Sequence, residues 1–197
     1  MGKISALQLS YGAIFVCLMA IGANIVIWFP FLAIPIGGVS VPLSLQTFFA
    51  ILAGLMLGKK LGLLSMTAYL LTGLAGVPVF AQMQAGLFVL FDYTGGFLLS
   101  FLVVAYVTGW LSERLIPFTL SKGFFIATVG VLVNYLIGVH YMFIAMNTWL
   151  GLTISYSTTW ISMTPFFIKD IFVALIAAVL MCKIVNRIPK QIRLNTH

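Results

Sequence analysis

The stretch Leu52-Ala-Gly-Leu-Met-Leu-Gly58-Lys59-Lys60-Leu61-Gly62 decides how many times this chain crosses a membrane. An apolar run, Leu45 to Leu57, ends at it, and a second, Leu61 to about Phe80, begins after it. Gly58-Lys59-Lys60 therefore reads as a short charged loop between two spans. The first run is 13 residues long (45 to 57), fewer than the ~20 needed to cross a bilayer as a helix. Either that helix begins near Val41 or the preceding loop shares the crossing. Gly54, Gly58 and Gly62 are spaced as small-xxx-small packing residues. The same segment is no phosphate-binding loop: its glycine spacing is one residue short, and no Ser or Thr follows the lysine.

Working outward, apolar runs and breakers divide the rest of the chain. Ala6 to Phe29 forms the first run, closed by Pro30 and too long for the core of a cleavable signal peptide. An uncharged Pro/Gly-rich stretch, 30 to 44, follows and is expected to pack at or within the outer membrane surface. After the two runs around Gly58 come Gly95 to Ile116, Gly123 to Leu150, and a last run from Thr164 to about Val185, where Thr164-Pro165 resembles an N-cap with a first-turn proline.

Composition demands a lipid environment. Of the 197 residues, 62% are hydrophobic and 7% charged, and mean hydropathy is +1.19. A soluble domain carries about a quarter charged residues, because water must solvate its surface. The net charge of +7 does not signal nucleic acid, since the basic residues sit in gaps between apolar runs. Six spans put Lys3, Lys59, Lys60, Arg114, Lys122, Lys183, Arg187, Lys190 and Arg193 on one side, nine of the 10 Lys and Arg. The positive-inside rule makes that side cytoplasmic, whereas five or seven spans scatter the charges. The sequence thus predicts an all-α polytopic membrane protein: one domain over 1–197, six transmembrane helices (about 6–29, 41–57, 61–80, 95–116, 123–150 and 164–185), and both termini cytoplasmic. Cys17 and Cys182 lie in apolar runs without metal-ligand spacing and read as buried and inert.

The tenth basic residue, Lys169, stands beside Asp170 inside the last run, roughly 7–9 Å below the outer helix end at 1.5 Å per residue. Charges at such depth are costly and commonly functional. Mutual neutralisation and snorkelling of Lys169 are the structural alternatives. Adjacent helical residues diverge by about 100°, which argues against both facing one pocket squarely. Asn134 falls near mid-membrane, where it is either an interhelical hydrogen-bonding residue or a ligand contact, while His140 reads as a satisfied interior or interfacial histidine. Gln46 and Thr47 open the second helix, and Gln82 and Gln84 occupy the loop after the third. Each is a possible donor to a polar solute.

Catalytic signatures are missing. The chain has no HExxH, no Cys/His cluster and no GxSxG, and with 3 acidic residues it can barely supply paired carboxylates. A carrier driven by protons or sodium generally shows repeats and buried titratable groups. The chain shows no repeat and one such acid. A solute-capture subunit energised by other proteins fits these residues best.

Val41-Pro-Leu-Ser-Leu-Gln-Thr47, Leu52-Ala-Gly-Leu-Met-Leu-Gly58 and Tyr69-Leu-Leu-Thr-Gly-Leu-Ala-Gly-Val-Pro-Val-Phe-Ala81 together resemble the BioY family, as do Thr94-Gly-Gly-Phe-Leu-Leu-Ser-Phe101 and Pro165-Phe with Asp170 downstream. That resemblance spans nearly the whole chain. It implies a biotin-binding S component of an energy-coupling-factor (ECF) transporter, with six helices and an outward-facing pocket. It also implies a transmembrane coupling protein and two cytoplasmic ATPases as partners, though some members operate without them. Biotin is then the carried ligand, no cofactor is implied, and the setting is the plasma membrane. The family's Pro-Phe-x-Pro-Gly-Asp-x-x-Lys pattern keeps its Pro-Phe at Pro165-Phe166 and its acid at Asp170, but Val173 stands at the lysine position and Lys169 at the glycine. Small residues of the first helix face the coupling protein in such subunits, which points to Ala13 and Cys17.

Biotin carries a ureido ring, a thioether ring, an aliphatic chain and a carboxylate, and a buried site must complement each polar group. The implied set is Asp170 accepting a ureido N–H, Asn134 or Gln46 completing the ring's polarity, and Tyr93, Tyr135 or Tyr141 flanking the bicycle. Lys169 or groups around Gln82 would meet the carboxylate. A reversed pose places the carboxylate on Lys169 and leaves Asp170 a structural partner. The other readings still open are an S component for another vitamin, a stand-alone secondary carrier and an intramembrane enzyme.

Overall fold

A computed structural model describes residues 4–30, 33–36 and 39–184. Lys3, Arg187, Lys190 and Arg193 of the charge argument lie outside the described residues. In chain order come α1 (Ala6–Ala23), α2 (Ile25–Trp28), an antiparallel hairpin of β1 (Ala33–Ile36) and β2 (Val39–Pro42), and α3 (Gln46–Leu74). A 3-10 turn (Ala81–Met83) then leads to α4 (Phe88–Phe91), α5 (Gly95–Arg114), α6 (Leu120–Asn147) and α7 (Tyr156–Ile184). Five helices, α1, α3, α5, α6 and α7, are long and apolar enough to cross a membrane. The chain is an all-α polytopic membrane protein with one short hairpin.

Gly58 makes α3 two helices rather than one. Its backbone sits at φ 78, ψ 176, a region essentially closed to residues with a Cβ. The chain folds back there. Gly62 comes so close to Gly54 that a Cβ on Gly62 would stand 3.3 Å from the Gly54 Cα, whereas eight residues of straight helix span about 12 Å. Further from the turn, the Gln46 side chain donates to the Tyr69 hydroxyl at 3.0 Å. The three glycines are therefore not one helix face: Gly58 is the turn, and Gly54 and Gly62 pack on each other across it. Glu113 of α5 holds this turn, accepting the Lys59 N–H at 2.9 Å and pairing with its ammonium at 3.1 Å.

Three sequence expectations about helix ends are corrected. The helix after the Pro/Gly-rich stretch does not begin near Val41, because Val41 and Pro42 belong to β2 and α3 starts at Gln46. The first half of α3, Gln46 to Leu57, is thus about 18 Å long, and the hairpin precedes it. The fifth run is helical from Leu120 to Asn147, not 123–150, with the Thr119 side chain accepting from Lys122 N–H. The last helix begins at Tyr156, not Thr164, because Ser155 Oγ accepts the Thr158 N–H at 3.2 Å and caps it. Pro165 consequently lies inside α7. Hydroxyls of the preceding turn bond back to the backbone, Thr164 to the Trp160 carbonyl at 3.0 Å and Ser162 to the Thr159 carbonyl at 2.9 Å.

Glycines set how closely the helices approach. A Cβ on Gly109 of α5 would overlap the backbone of Gly58 and Lys59, and one on Gly54 would overlap Ala105 and Thr108. Gly96 accepts the Tyr141 side chain, and Gly138 accepts Phe97. One face of α1 (Gly12, Phe15, Met19) is buried, with Gly12 against Leu61 and Ser65 of α3. Ala13 and Cys17 point outward. Cys17 is exposed, contrary to the buried role expected of it. Lipid-facing rows of large apolar residues complete the bundle, such as Phe125, Leu132 and Leu136 on α6 and Ile161, Ile168 and Phe172 on α7.

Gly109→Ala is expected to lower the thermal midpoint of the purified protein by the equivalent of about 1–3 kcal/mol, because fixed backbone opposes the new methyl. Gly130→Ala meets only the side chains of Ile51 and Thr108 and should cost less. Equal midpoints for the two variants would refute the close-approach argument.

Candidate functional site

Gln46 and Tyr69 meet at the end of the α3 hairpin opposite Gly58, and there the bundle opens into a cavity of about 190 Å³. The loops after α3 and before α5 cover it, contributing Phe80, Ala81, Gln82, Gln84, Asp92, Tyr93 and Thr94. Its walls are mostly apolar and aromatic, including Phe97, Phe101, Met142, Met163 and Phe166. Polar groups are concentrated on Gln46, Thr47, Asn134, Tyr135, Lys169 and Asp170, the pattern of a small-molecule site.

Those polar groups form one connected chain. The Thr47 hydroxyl donates to Asp170 Oδ2 at 3.0 Å, and the Tyr135 hydroxyl donates to the same oxygen at 2.9 Å. Asn134 Nδ2 donates to Thr47 Oγ1 at 3.1 Å, and Ser100 donates to Asn134 Oδ1 at 2.5 Å. Lys169 Nζ lies 2.5 Å from Asp170 Oδ1 and donates to the Ser44 carbonyl at 2.5 Å. Every link runs between different helices or loops, apart from the ion pair itself. A buried carboxylate in an apolar bundle must be partnered, and here three donors from α3, α6 and α7 converge on it. No buried side-chain N or O among the described residues lacks a partner.

Asp170 is buried and Lys169 partly so. Both line the cavity, against the expectation that helical geometry would separate them. The long lysine chain reaches back to close the pair. They also lie deeper along their helix than expected. With α7 starting at Tyr156, Asp170 is about 20 Å from its beginning, not 7–9 Å.

Gln46, Gln82, Tyr93, Asn134, Tyr135, Lys169 and Asp170 are thus gathered around one cavity. Tyr141 is not among the lining residues; its hydroxyl donates to the Leu90 carbonyl at 2.5 Å and braces the covering segment from outside. Burial, reinforced by the neighbouring Asp92 charge, pushes the Tyr93 phenol above its ordinary range, so it stays a neutral donor. His140 is satisfied as expected but is exposed, with its ring nitrogens on the Leu136 carbonyl at 2.6 Å and the Tyr156 hydroxyl at 3.0 Å. Ser100 and the Ser44 carbonyl carry no signal in the sequence, one being a serine in an apolar helix and the other a backbone oxygen. The described residues hold no cluster of three His, Cys, Asp or Glu that could bind a metal ion.

Thr47→Val keeps the shape of the side chain but removes a donor to Asp170 and an acceptor for Asn134. A loss of about 1–3 kcal/mol is expected, read as a lower thermal midpoint; an unchanged midpoint would show that the chain contributes no stability.

Comparison with known proteins agrees with this architecture. BioYB of Bacillus subtilis (strain 168) is 37% identical over 193 residues, covering 98% of this chain and 94% of that protein. The biotin transporter BioY of Thermotoga maritima is 39% identical over 132 residues, covering 67% and 72%. A crystal structure of the S-component for biotin from an ECF-type ABC transporter superposes with a TM-score of 0.68 at 26% identity, covering 91% of this chain and 90% of that one. Residues 1–190 match the BioY family throughout, and the chain belongs to that family.

Proposed function

We propose that this protein captures biotin from outside the cell as the S component of an ECF-type ABC transporter. The observation that carries the reading is the Lys169–Asp170 pair, braced by Thr47, Tyr135 and Asn134, at the floor of a covered cavity in a BioY-family chain. Transport rather than catalysis suits a site with one buried acid and no nucleophile–base pair. ATP would be hydrolysed by two partner ATPases acting through a transmembrane coupling protein, for which the outward-pointing Ala13 and Cys17 of α1 are the proposed contact. Membrane lipid surrounds the rest, and no cofactor takes part.

The reversal at Gly58 supports six passes with both termini cytoplasmic. Counted this way, the Gly58 turn, the α5–α6 connection and the end of α7 share one face. Lys59, Lys60, Arg114, Lys122 and Lys183 lie there, and Gly123 beside Ala178 brings the start of α6 to the last turns of α7. The cavity then opens to the opposite, extracellular face of the plasma membrane.

Ligand chemistry follows from which lone pairs remain. Asp170 Oδ2 already accepts two hydroxyls, whereas Oδ1 has Lys169 as its one partner among the described residues. A ureido N–H is therefore expected on Oδ1, with Asn134 and Gln46 completing the ring contacts and Tyr93 and Tyr135 against the bicycle. Lys169, released from Oδ1, and Gln82 are placed to meet the carboxylate.

Asp170→Asn is expected to weaken biotin binding more than tenfold, over about 1.4 kcal/mol, in protein that still purifies folded. Unchanged affinity would remove Asp170 from the site. Lys169→Met should cost unmodified biotin as much affinity as esterifying its carboxylate costs with the unsubstituted protein, with no further loss when both changes are combined. Additive losses would place the carboxylate elsewhere. Mass spectrometry of molecules released from the purified protein tests the substrate directly: another vitamin there would replace biotin. Uptake that survives ATP depletion but not a proton ionophore would instead make the protein a stand-alone carrier.

A further inference from the structure

Gln82 and Met83, consecutive and neither of them glycine, both hold φ 57. Residues with a Cβ disfavour that left-handed conformation; the Gln84 N–H to Ala81 carbonyl bond at 3.2 Å spans the two residues, and a side chain from outside the turn adds to it. That side chain is Asn24. Buried at 3% exposure just past the last residue of α1, it accepts the Met83 N–H on Oδ1 at 2.8 Å. Its Nδ2 donates to the Ala20 carbonyl at 3.0 Å, which fixes the amide's orientation on α1. The rest of the turn is closed by backbone bonds, Phe80 N–H to the Gln84 carbonyl at 3.1 Å and Gly86 N–H to the Gly73 carbonyl at 2.8 Å. Gln82 faces the cavity, whereas Met83 is 49% exposed.

We propose that Asn24 is a positioning residue for the ligand: from the end of α1 it latches the left-handed Gln82–Met83 turn over the cavity and so sets how long captured biotin stays bound. The inference rests on the biotin reading above for its ligand, but the latch itself is a property of the chain. Without Oδ1 the turn loses the side-chain bond that ties its left-handed backbone to α1. It relaxes toward the right-handed region, carrying Gln82 off the cavity. Escape then speeds up more than entry, because entry already requires an open cover.

Full-length protein in lipid nanodiscs provides the test, with labelled biotin as the probe. Asn24→Ala is expected to raise the dissociation rate about tenfold and to change the association rate by less than about threefold. Adding Met83→Gly to Asn24→Ala should recover most of the slow dissociation, because glycine takes φ 57 without penalty. A latch-independent structural role would show no such recovery. An unchanged dissociation rate, a rise that Met83→Gly leaves untouched, or a loss of binding sites with normal kinetics in those remaining each overturns the proposal. Amide hydrogen exchange without ligand separates this from the substrate question. Exchange at Met83 should accelerate about tenfold in Asn24→Ala, and unchanged exchange refutes the latch even if biotin binds. Accelerated exchange in a protein whose wild type binds no biotin retains the latch and rejects the substrate.

Discussion

The carboxylate of Asp170 is the point on which this bundle converges. In an apolar interior a lone charge is costly, and the protein meets that constraint by bringing donors to it from several helices. Thr47 arrives from α3, Tyr135 from α6, and Lys169 from the same turn of α7. Because Thr47 also accepts from Asn134, and Asn134 from Ser100, the chain of bonds reaches α5. Four long helices are thereby fixed relative to one another at the level of the cavity floor. The same bonds leave an organised polar surface beneath an aromatic and apolar wall. Structural satisfaction of the acid and construction of the site are a single arrangement.

Close backbone approach makes that convergence possible. Gly58 reverses α3 in a conformation that residues with a Cβ avoid, so Gln46 and Thr47 return to the end that also holds Tyr69. Gly109 lets α5 cross directly against the turn, and Glu113, one helical turn further along α5, pairs with Lys59. Without those contacts, the segment before Gly58, too short to span the membrane by itself, has no means of carrying Thr47 to the depth of Asp170. At the opposite end, residues outside the helices decide access. The end of α1 holds the Gln82–Met83 turn through Asn24, and Tyr141 braces the segment around Leu90. The cavity is therefore rigid at its floor and held at its cover by a few side-chain bonds.

Much of the site was legible because intramembrane polar residues are rare enough to stand out. Asp170, Lys169 and Asn134 could be selected by depth alone, and Gln46 and Gln82 by their place at segment ends. Tyr141 stands outside the cavity lining because its hydroxyl reaches the Leu90 carbonyl instead, a contact that no segment pattern encodes. The start of α7 is hidden in the sequence because Thr164-Pro165 mimics a helix start, while the actual cap, Ser155, sits in a polar stretch with several equivalent candidates. Cys17 was expected inside, yet an apolar run in lipid carries no sign of which face turns inward. Asn24 lay at the end of a run, where an asparagine has ordinary capping roles.

Composition and hydropathy establish that this chain lives in lipid, where its apolar runs fall, and that Gly58-Lys59-Lys60 separates two of them. Hydropathy and charge placement are local quantities, summed along the chain without knowledge of neighbours. Family membership was also readable, from motifs lying within single segments. What the folded bundle adds is Glu113 holding the turn at Gly58 and Lys169 and Asp170 facing one cavity together. The bundle alone links Thr47, Asn134 and Ser100 to that pair and places Asn24 beneath Met83. Each of those facts is a distance between residues far apart in the chain. Segment patterns cannot encode such distances, because they depend on how glycines let the helices close.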